Sequence, residues 1–218
     1  MTLPLRRTGI ALVGDMPWGT HFCHFFETKK DLLDTVLPYF KAGLEAGEMC
    51  LWVLPEPFTP DEAMKALRRA IPRLERYLDD RSIEIHRYRD WYYDAGDFDA
   101  ARITSAWDEK LSEALARGFA GLRVNGTAAW LGNGDGRSFR EYEEKIDGSM
   151  AGKRMIALCT YPLSNSPGNQ VLDVARTHQF VVAKRNGRSE YVEAPELRQA
   201  KSEIRRLNRT LQHRVAKR

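Results

Sequence analysis

The sequence predicts a three-layer α/β domain, a mostly parallel sheet flanked by helices. Three short runs read as buried strands: His21–Phe26 (HFCHFF), Met49–Leu54 (MCLWVL) and Met155–Tyr161 (MIALCTY). Segments of 10–20 residues with helical periodicity lie between the strands. A parallel pair needs a crossover of that size, so the alternation implies βαβ connections. After Pro195 the pattern changes to a single narrow apolar stripe, which bounds the domain.

Each element has a local cause. Residues 1–12 read as a lead-in, in which Ile10–Val13 is either a short strand or an ordered approach. The main domain spans 13–193. Gly14, Pro17 and Gly19 make a loop ahead of the first strand. Residues 21–26 suit a strand covered on both faces. Thr28 with Asp31 forms a capping box, so a helix begins there. Leu32, Leu33, Val36, Leu37, Phe40 and Leu44 keep its period, and Gly47 is placed to close it. Pro55 and Pro57 stop the strand at 49–54. Thr59-Pro60-Asp61-Glu62 starts a second helix running to about Ile71.

Ser82–Tyr88 alternates as a third strand. Asp90–Asp97 reads as an aromatic loop, with Asp94, Asp97 and Asp99 as a solvated cap cluster. A helix follows from about Phe98 to Arg117, closed by Gly118. Gly121–Leu131 holds a strand that runs into a glycine-rich turn. Ser138–Lys153 is a helix, and Met155–Tyr161 a strand halted by Pro162. Residues 169–179 are helical. Phe180–Ala183, with a return at 190–192, makes an antiparallel hairpin at one sheet edge.

Charge separates the two parts of the chain. The net charge is +4, but residues 195–218 hold eight Lys/Arg and two Glu. The other 194 residues carry 26 basic and 28 acidic groups, so the globular part is no polycation and no nucleic-acid partner is expected for it. No run of 18 apolar residues exists, so no membrane span is expected. Cys23, Cys50 and Cys159 each sit in an apolar run, as reduced thiols of a cytoplasmic protein would. In 194–218, Leu197, Ala200, Ile204, Leu207, Leu211 and Val215 make an amphipathic helix. It is expected to pair as a parallel dimeric coiled coil and to lead to an output module.

The most chemically loaded stretch is the first strand. Positions i and i+2 of a strand share a face, so His21, Cys23 and Phe25 line one side, and Phe22, His24 and Phe26 the other. One His and one Cys do not complete a zinc site. His24, Cys50, Cys159 and His178 are candidate further ligands, none with diagnostic spacing. Ligands of parallel α/β sheets sit beyond the strands' carboxyl ends. Those ends carry Trp91, Asn125, Trp130 and Tyr161, aromatic and small polar groups suited to a small organic ligand. The first strand leads to Glu27-Thr28-Lys29-Lys30-Asp31, with no GxxxxGK[ST] loop, so no nucleotide cofactor is expected. The sequence has no G-x-S-x-G, H-E-x-x-H or C-x-x-C motif either.

Gly14-Asp15-x-Pro17-Trp18-Gly19-Thr20-His21-Phe22-Cys23, followed by Pro38–Glu45, closely resembles the MEDS domain, the methanogen/methylotroph sensory domain also found in a dichloromethane-responsive regulator. Gly121–Val124 with Thr127–Leu131, Arg154–Tyr161, and His178-Gln179-Phe180 running to Lys184-Arg185 match in order. The resemblance spans about residues 10–193. It implies a cytoplasmic input domain of signalling proteins, often histidine kinases, that senses simple hydrocarbon derivatives. It implies a degenerate RecA/KaiC-like fold. The family's H-x-C-x-F signature falls on His21, Cys23 and Phe25 and is proposed to contact ligand or metal.

The expected function is therefore a non-catalytic, homodimeric ligand sensor. Its ligand set is His21, Cys23, Phe25, Trp91, Asn125, Trp130 and Tyr161, with His21 and Cys23 as the metal candidates. The alternative is a redox sensor or enzyme with a reactive Cys23 thiol activated by His21 or His24.

Overall fold

In the computed structural model, residues 5–94, 97–127, 136–166, 168–185, 188–193 and 203 are described. Near the middle of its sheet lies β3 (His21–Phe26), every residue of which is buried. The other strands of that sheet are β4 (Met49–Leu54), β5 (Ile83–Arg87), β8 (Leu122–Thr127), β9 (Met155–Pro162), β10 (Phe180–Arg185) and β11 (Arg188–Glu193). Their order is β11-β10-β3-β9-β8-β4-β5. All neighbours are parallel except the edge hairpin β10–β11. Two short pairs stand apart: β1 (Arg6–Arg7) with β2 (Asp15–Met16), and β6 (Tyr93–Asp94) with β7 (Asp97–Phe98).

Helices cover both faces. On one lie α1 (Lys29–Glu45), α2 (Pro60–Ala70) and α3 (Leu74–Asp79). Their Val36, Tyr39, Phe40, Leu67 and Leu74 pack on Phe22, Trp52, Ile156 and Leu158 of the sheet. On the other lie α4 (Tyr88–Tyr92), α5 (Ala100–Ala116), α6 (Gly136–Met150) and α7 (Gly168–Thr177). Trp91, Trp107, Ile146 and Val174 from these helices meet Cys23, Phe25, Leu51 and Ala157. The strands alternate between the two cores, as a period of two requires.

The expected caps are present. Thr28 and Asp31 make a reciprocal capping box on α1, and Thr59 and Glu62 make one on α2. Asp99 caps α5 by accepting from the Ala101 and Arg102 amides. One close approach fixes α1 on the sheet: a Cβ at Gly43 would stand 2.6 Å from the Arg123 side chain, and only glycine leaves that space.

Three readings need correction. Of the two readings of Ile10–Val13 the strand is excluded: residues 11–13 form a turn, across which the Val13 and Gly14 amides donate to the Ile10 carbonyl. The aromatic stretch 90–97 is not a plain loop; α4 and the β6–β7 pair take it up, since Tyr88, Trp91 and Tyr92 are buried. The helix α3 was not anticipated, its six residues giving too short a period to read. The coil segment, apart from Glu203, and Trp130 lie outside the described residues. Among the described residues no helix is long and apolar enough to cross a membrane.

Candidate functional site

The sheet separates the expected site residues. His21, Cys23 and Phe25 face α5–α7, while Phe22, His24 and Phe26 face α1. Tyr161 lies on the His21 side, its ring 5.4 Å from that of Phe25. Trp91 belongs to the same core and packs against Trp107, ring centroids 4.4 Å apart and planes tilted by 43°. Asn125 is fully buried, and its Nδ2 donates to the Leu158 carbonyl at 2.8 Å. His24 sits near Thr35 of α1, at 3.3 Å.

Around His21 four donors converge. Among the described residues, the ligand atoms of His21, Glu143, Cys159 and His178 all lie within 4.8 Å of one another. His21 opens β3, and His178 stands in the two-residue link from α7 to β10. Cys159 lies on β9, in register with Cys23. Glu143 comes from α6. His21 Nε2 is 3.2 Å from Cys159 Sγ and 3.5 Å from Glu143 Oε2. His178 Nε2 is 3.4 Å from the same Glu143 oxygen. The two imidazole centroids are 4.1 Å apart. Cys23 is not one of the four; its thiol faces the Phe180 carbonyl at 4.0 Å.

Outer contacts orient these groups. Tyr161 donates its hydroxyl to Glu143 Oε1 at 2.9 Å. His178 Nδ1 lies 2.7 Å from the Val174 carbonyl, which only accepts, so that nitrogen carries the proton. His21 Nδ1 faces Asp147 Oδ1 at 3.6 Å. Glu143 and Asp147 are one turn apart on α6 and share a face. Glu143 Oε2 and His178 Nε2 are buried without a hydrogen bond.

Burial dominates the electrostatics. It pushes the Glu143 carboxyl up, against the pull of His21, and pushes His178 well below the usual imidazole range. The Cys159 thiol is pushed well up, first by burial and then by Glu143. Cys23 moves the same way for the same reasons. That direction is opposite to an activated thiolate. His24 lies across the sheet from Cys23, so of the two imidazoles offered for that thiol only His21 shares its face.

Beside Cys159 lies a cavity of about 20 Å³, lined by Tyr92, Trp107, Val124, Tyr142, Met150 and Ala157 among others. A surface groove between α6 and α7, of about 410 Å³, reaches Asp147 from solvent past Glu144 and Asp173.

Sequence reasoning had Cys159 and His178 only as candidates and missed Glu143. Tyr142, Ile146 and Met150 make the buried stripe of α6, and Glu143 with Asp147 runs along its border, a place that marks a solvated glutamate equally well.

Solved structures share the fold. Flagellar accessory protein FlaH from Methanocaldococcus jannaschii superposes with a TM-score of 0.57 at 12% identity, over 86% of this chain and 85% of that one. A KaiC-like protein from Pyrococcus horikoshii OT3 gives 0.59 at 16%, over 86% of each. The fold is thus RecA/KaiC-like. A search of curated proteins finds no match. The profile of one sensory family, however, runs along the chain from Thr20 to Gln179, through His21, Glu143, Cys159 and His178 alike. The chain therefore belongs to the MEDS family, the MEthanogen/methylotroph, DcmR Sensory domain.

Proposed function

We propose that this sensory domain binds a small organic molecule, a simple hydrocarbon derivative, in the cavity beside Cys159. One observation carries the reading: an aromatic cavity abuts a buried polar cluster in a chain of a sensory family. Apolar walls with a few placed polar groups are what small ligands need. The cavity holds about one water-sized body, so a one-carbon ligand with two chlorines enters only as the walls open around it. Met150 supplies that opening, being unbranched and polarisable.

Dichloromethane titration tests this. At about 100 times Kd a ligand adds about 2.7 kcal/mol, which raises the unfolding temperature by roughly 5–10 °C. Ala157→Leu fills the cavity and should abolish the rise while leaving the fold intact. No rise in the parent protein up to the solubility limit would remove the reading.

The domain acts as input to a kinase or regulator output, and the C-terminal helix of a homodimer carries the signal. What supports this is position: His178 lies two residues before β10, and β11 ends where the 194–218 segment begins. Ile204→Asp with Leu211→Asp should loosen the dimer in sedimentation and leave ligand binding unchanged. An unchanged dimer would mean that the signal leaves by another surface.

No catalytic step is assigned. The helix start that takes phosphate in P-loop proteins is closed here by its own capping box, with Lys184 3.3 Å from Asp31. ATP turnover by a pure sample, lost in Lys29→Ala or Lys30→Ala, would overturn that assignment.

A further inference from the structure

We propose that His21, Glu143, Cys159 and His178 form a closed tetrahedral site for a divalent transition metal, zinc by its donor set. Two imidazoles, a carboxylate and a thiolate are zinc ligands, and four protein donors make a structural site. Tetrahedral bonds of about 2.0–2.3 Å place ligand atoms about 3.3–3.8 Å apart. Three of the six pairs stand at 3.2, 3.5 and 3.4 Å, and all six lie within 4.8 Å, so a small inward shift of the donors completes the shell. Core packing has no reason to produce that spacing among four polar groups.

Lone pairs make the same point. The proton on His178 Nδ1 is fixed by the Val174 carbonyl, so its Nε2 turns a lone pair toward Glu143 Oε2. Neither atom has a hydrogen bond, and both are fully buried. Two facing acceptors repel unless a proton or a metal ion lies between them. A metal there satisfies both.

The surroundings are those of a metal centre. A ligating imidazole gives its other N–H to a carbonyl or carboxylate, which fixes its orientation. Val174 plays that part for His178, and Asp147 stands 3.6 Å from His21 Nδ1. Tyr161 holds the non-ligating oxygen of Glu143. The groove past Glu144, Asp147 and Asp173, three carboxylates against the one cation of Arg176, gives a metal ion a net acidic way in. On binding, Cys159 gives up its thiol proton to solvent, so affinity rises with pH.

Such a metal ties the starts of β3 and β10 to the middle of β9 and to α6. It stands apart from the cavity reading, because the four donors close the site without any organic ligand. Failure of either leaves the other in place.

The test uses the full chain, stripped with a chelator and titrated with Co²⁺ and then Zn²⁺. We expect one metal per chain by elemental analysis. Cobalt should give visible tetrahedral bands and a near-ultraviolet thiolate band of one-thiolate intensity, both erased by zinc. Loss of an outer contact weakens metal sites about 10–100-fold, so Tyr161→Phe should cost about tenfold and Cys159→Ser more than about 100-fold. Cys23→Ser and Cys50→Ser should bind as the parent does. Absence of tetrahedral bands in the parent overturns the proposal. So does a two-thiolate intensity, or loss of the thiolate band in Cys23→Ser. Should Cys159→Ser fail to fold by circular dichroism, the parent's own band still decides.

Discussion

On the α1 side of the sheet, Arg123 and Glu48 are both fully buried, and each guanidinium nitrogen has an oxygen to bond. Nε donates to Glu48, Nη1 to the Tyr39 and Thr8 carbonyls, and Nη2 to that of Arg7. Arg6 bonds the other Glu48 oxygen at 2.8 Å. On the α6 side, Glu143 is as deeply buried, yet one of its oxygens faces imidazoles with no hydrogen bond. The unbonded side-chain atoms on the α1 face, His24 Nδ1, Trp52 Nε1 and Asn125 Oδ1, belong to neutral groups on three different strands. The difference teaches where stability ends and function begins. A charge pair whose bonds are complete holds the fold. A buried carboxyl left open, with imidazoles facing it, costs stability, and it is there that the metal site is proposed.

Breaking the closed side should have the largest effect. Arg123→Met leaves one Glu48 oxygen and three carbonyls without their donor, and the loss should be about 3–5 kcal/mol in urea unfolding. A loss below about 1 kcal/mol would show that the network is not what secures α1 and the lead-in.

Acid should weaken the α1 side next. Burial lowers the His24 pKa to about 4, with Asp31 opposing and Lys184 adding to the effect. The unfolded chain then binds a proton that the fold refuses. Stability from this group is full above about pH 6.5 and is lost as pH falls toward 4, about 3 kcal/mol in all. His24→Gln should flatten that part of the pH profile; an unchanged slope would assign it elsewhere.

Glu143→Gln sharpens the contrast. In chelator the variant keeps its shape and the bond from Tyr161 and sheds an open buried charge. Thermal unfolding should show it about 1 kcal/mol more stable than the parent. A loss as large as that of Arg123→Met would make the two faces alike.

Thr28→Ala should have the smallest effect, about 1 kcal/mol for one lost helix cap. It touches neither cluster, so metal and ligand binding should not change.

Much of the fold was legible in the sequence, because strands and caps announce themselves locally. HFCHFF and MCLWVL are buried along their whole length, the Thr28 capping box formed as read, and the helix start read at Thr59–Glu62 carries a second box. The site was legible only in part. The period of a strand puts His21 and Cys23 on one face, but which of them meets a donor from another strand depends on register. Cys159 lies in register with Cys23 and reaches back to His21. No spacing along the chain encodes that diagonal. Glu143 was hidden because a glutamate beside an apolar helical stripe looks the same whether it meets solvent or imidazoles.

The strand order has a consequence for how the molecule comes to exist. The first-made strand of the sheet, β3, has as its neighbours β9 and β10, two of the last three made. His21 waits for a partner 138 residues on, and Cys23 for one 157 residues on. Pairings so distant in sequence are slow to form. Until they do, six buried-type residues, HFCHFF, lie open on a growing chain. The donor cluster is therefore assembled only once His178, the last of its four donors, has been made. A chain stopped before Phe180 lacks one neighbour of β3, and one stopped before His178 lacks a donor as well.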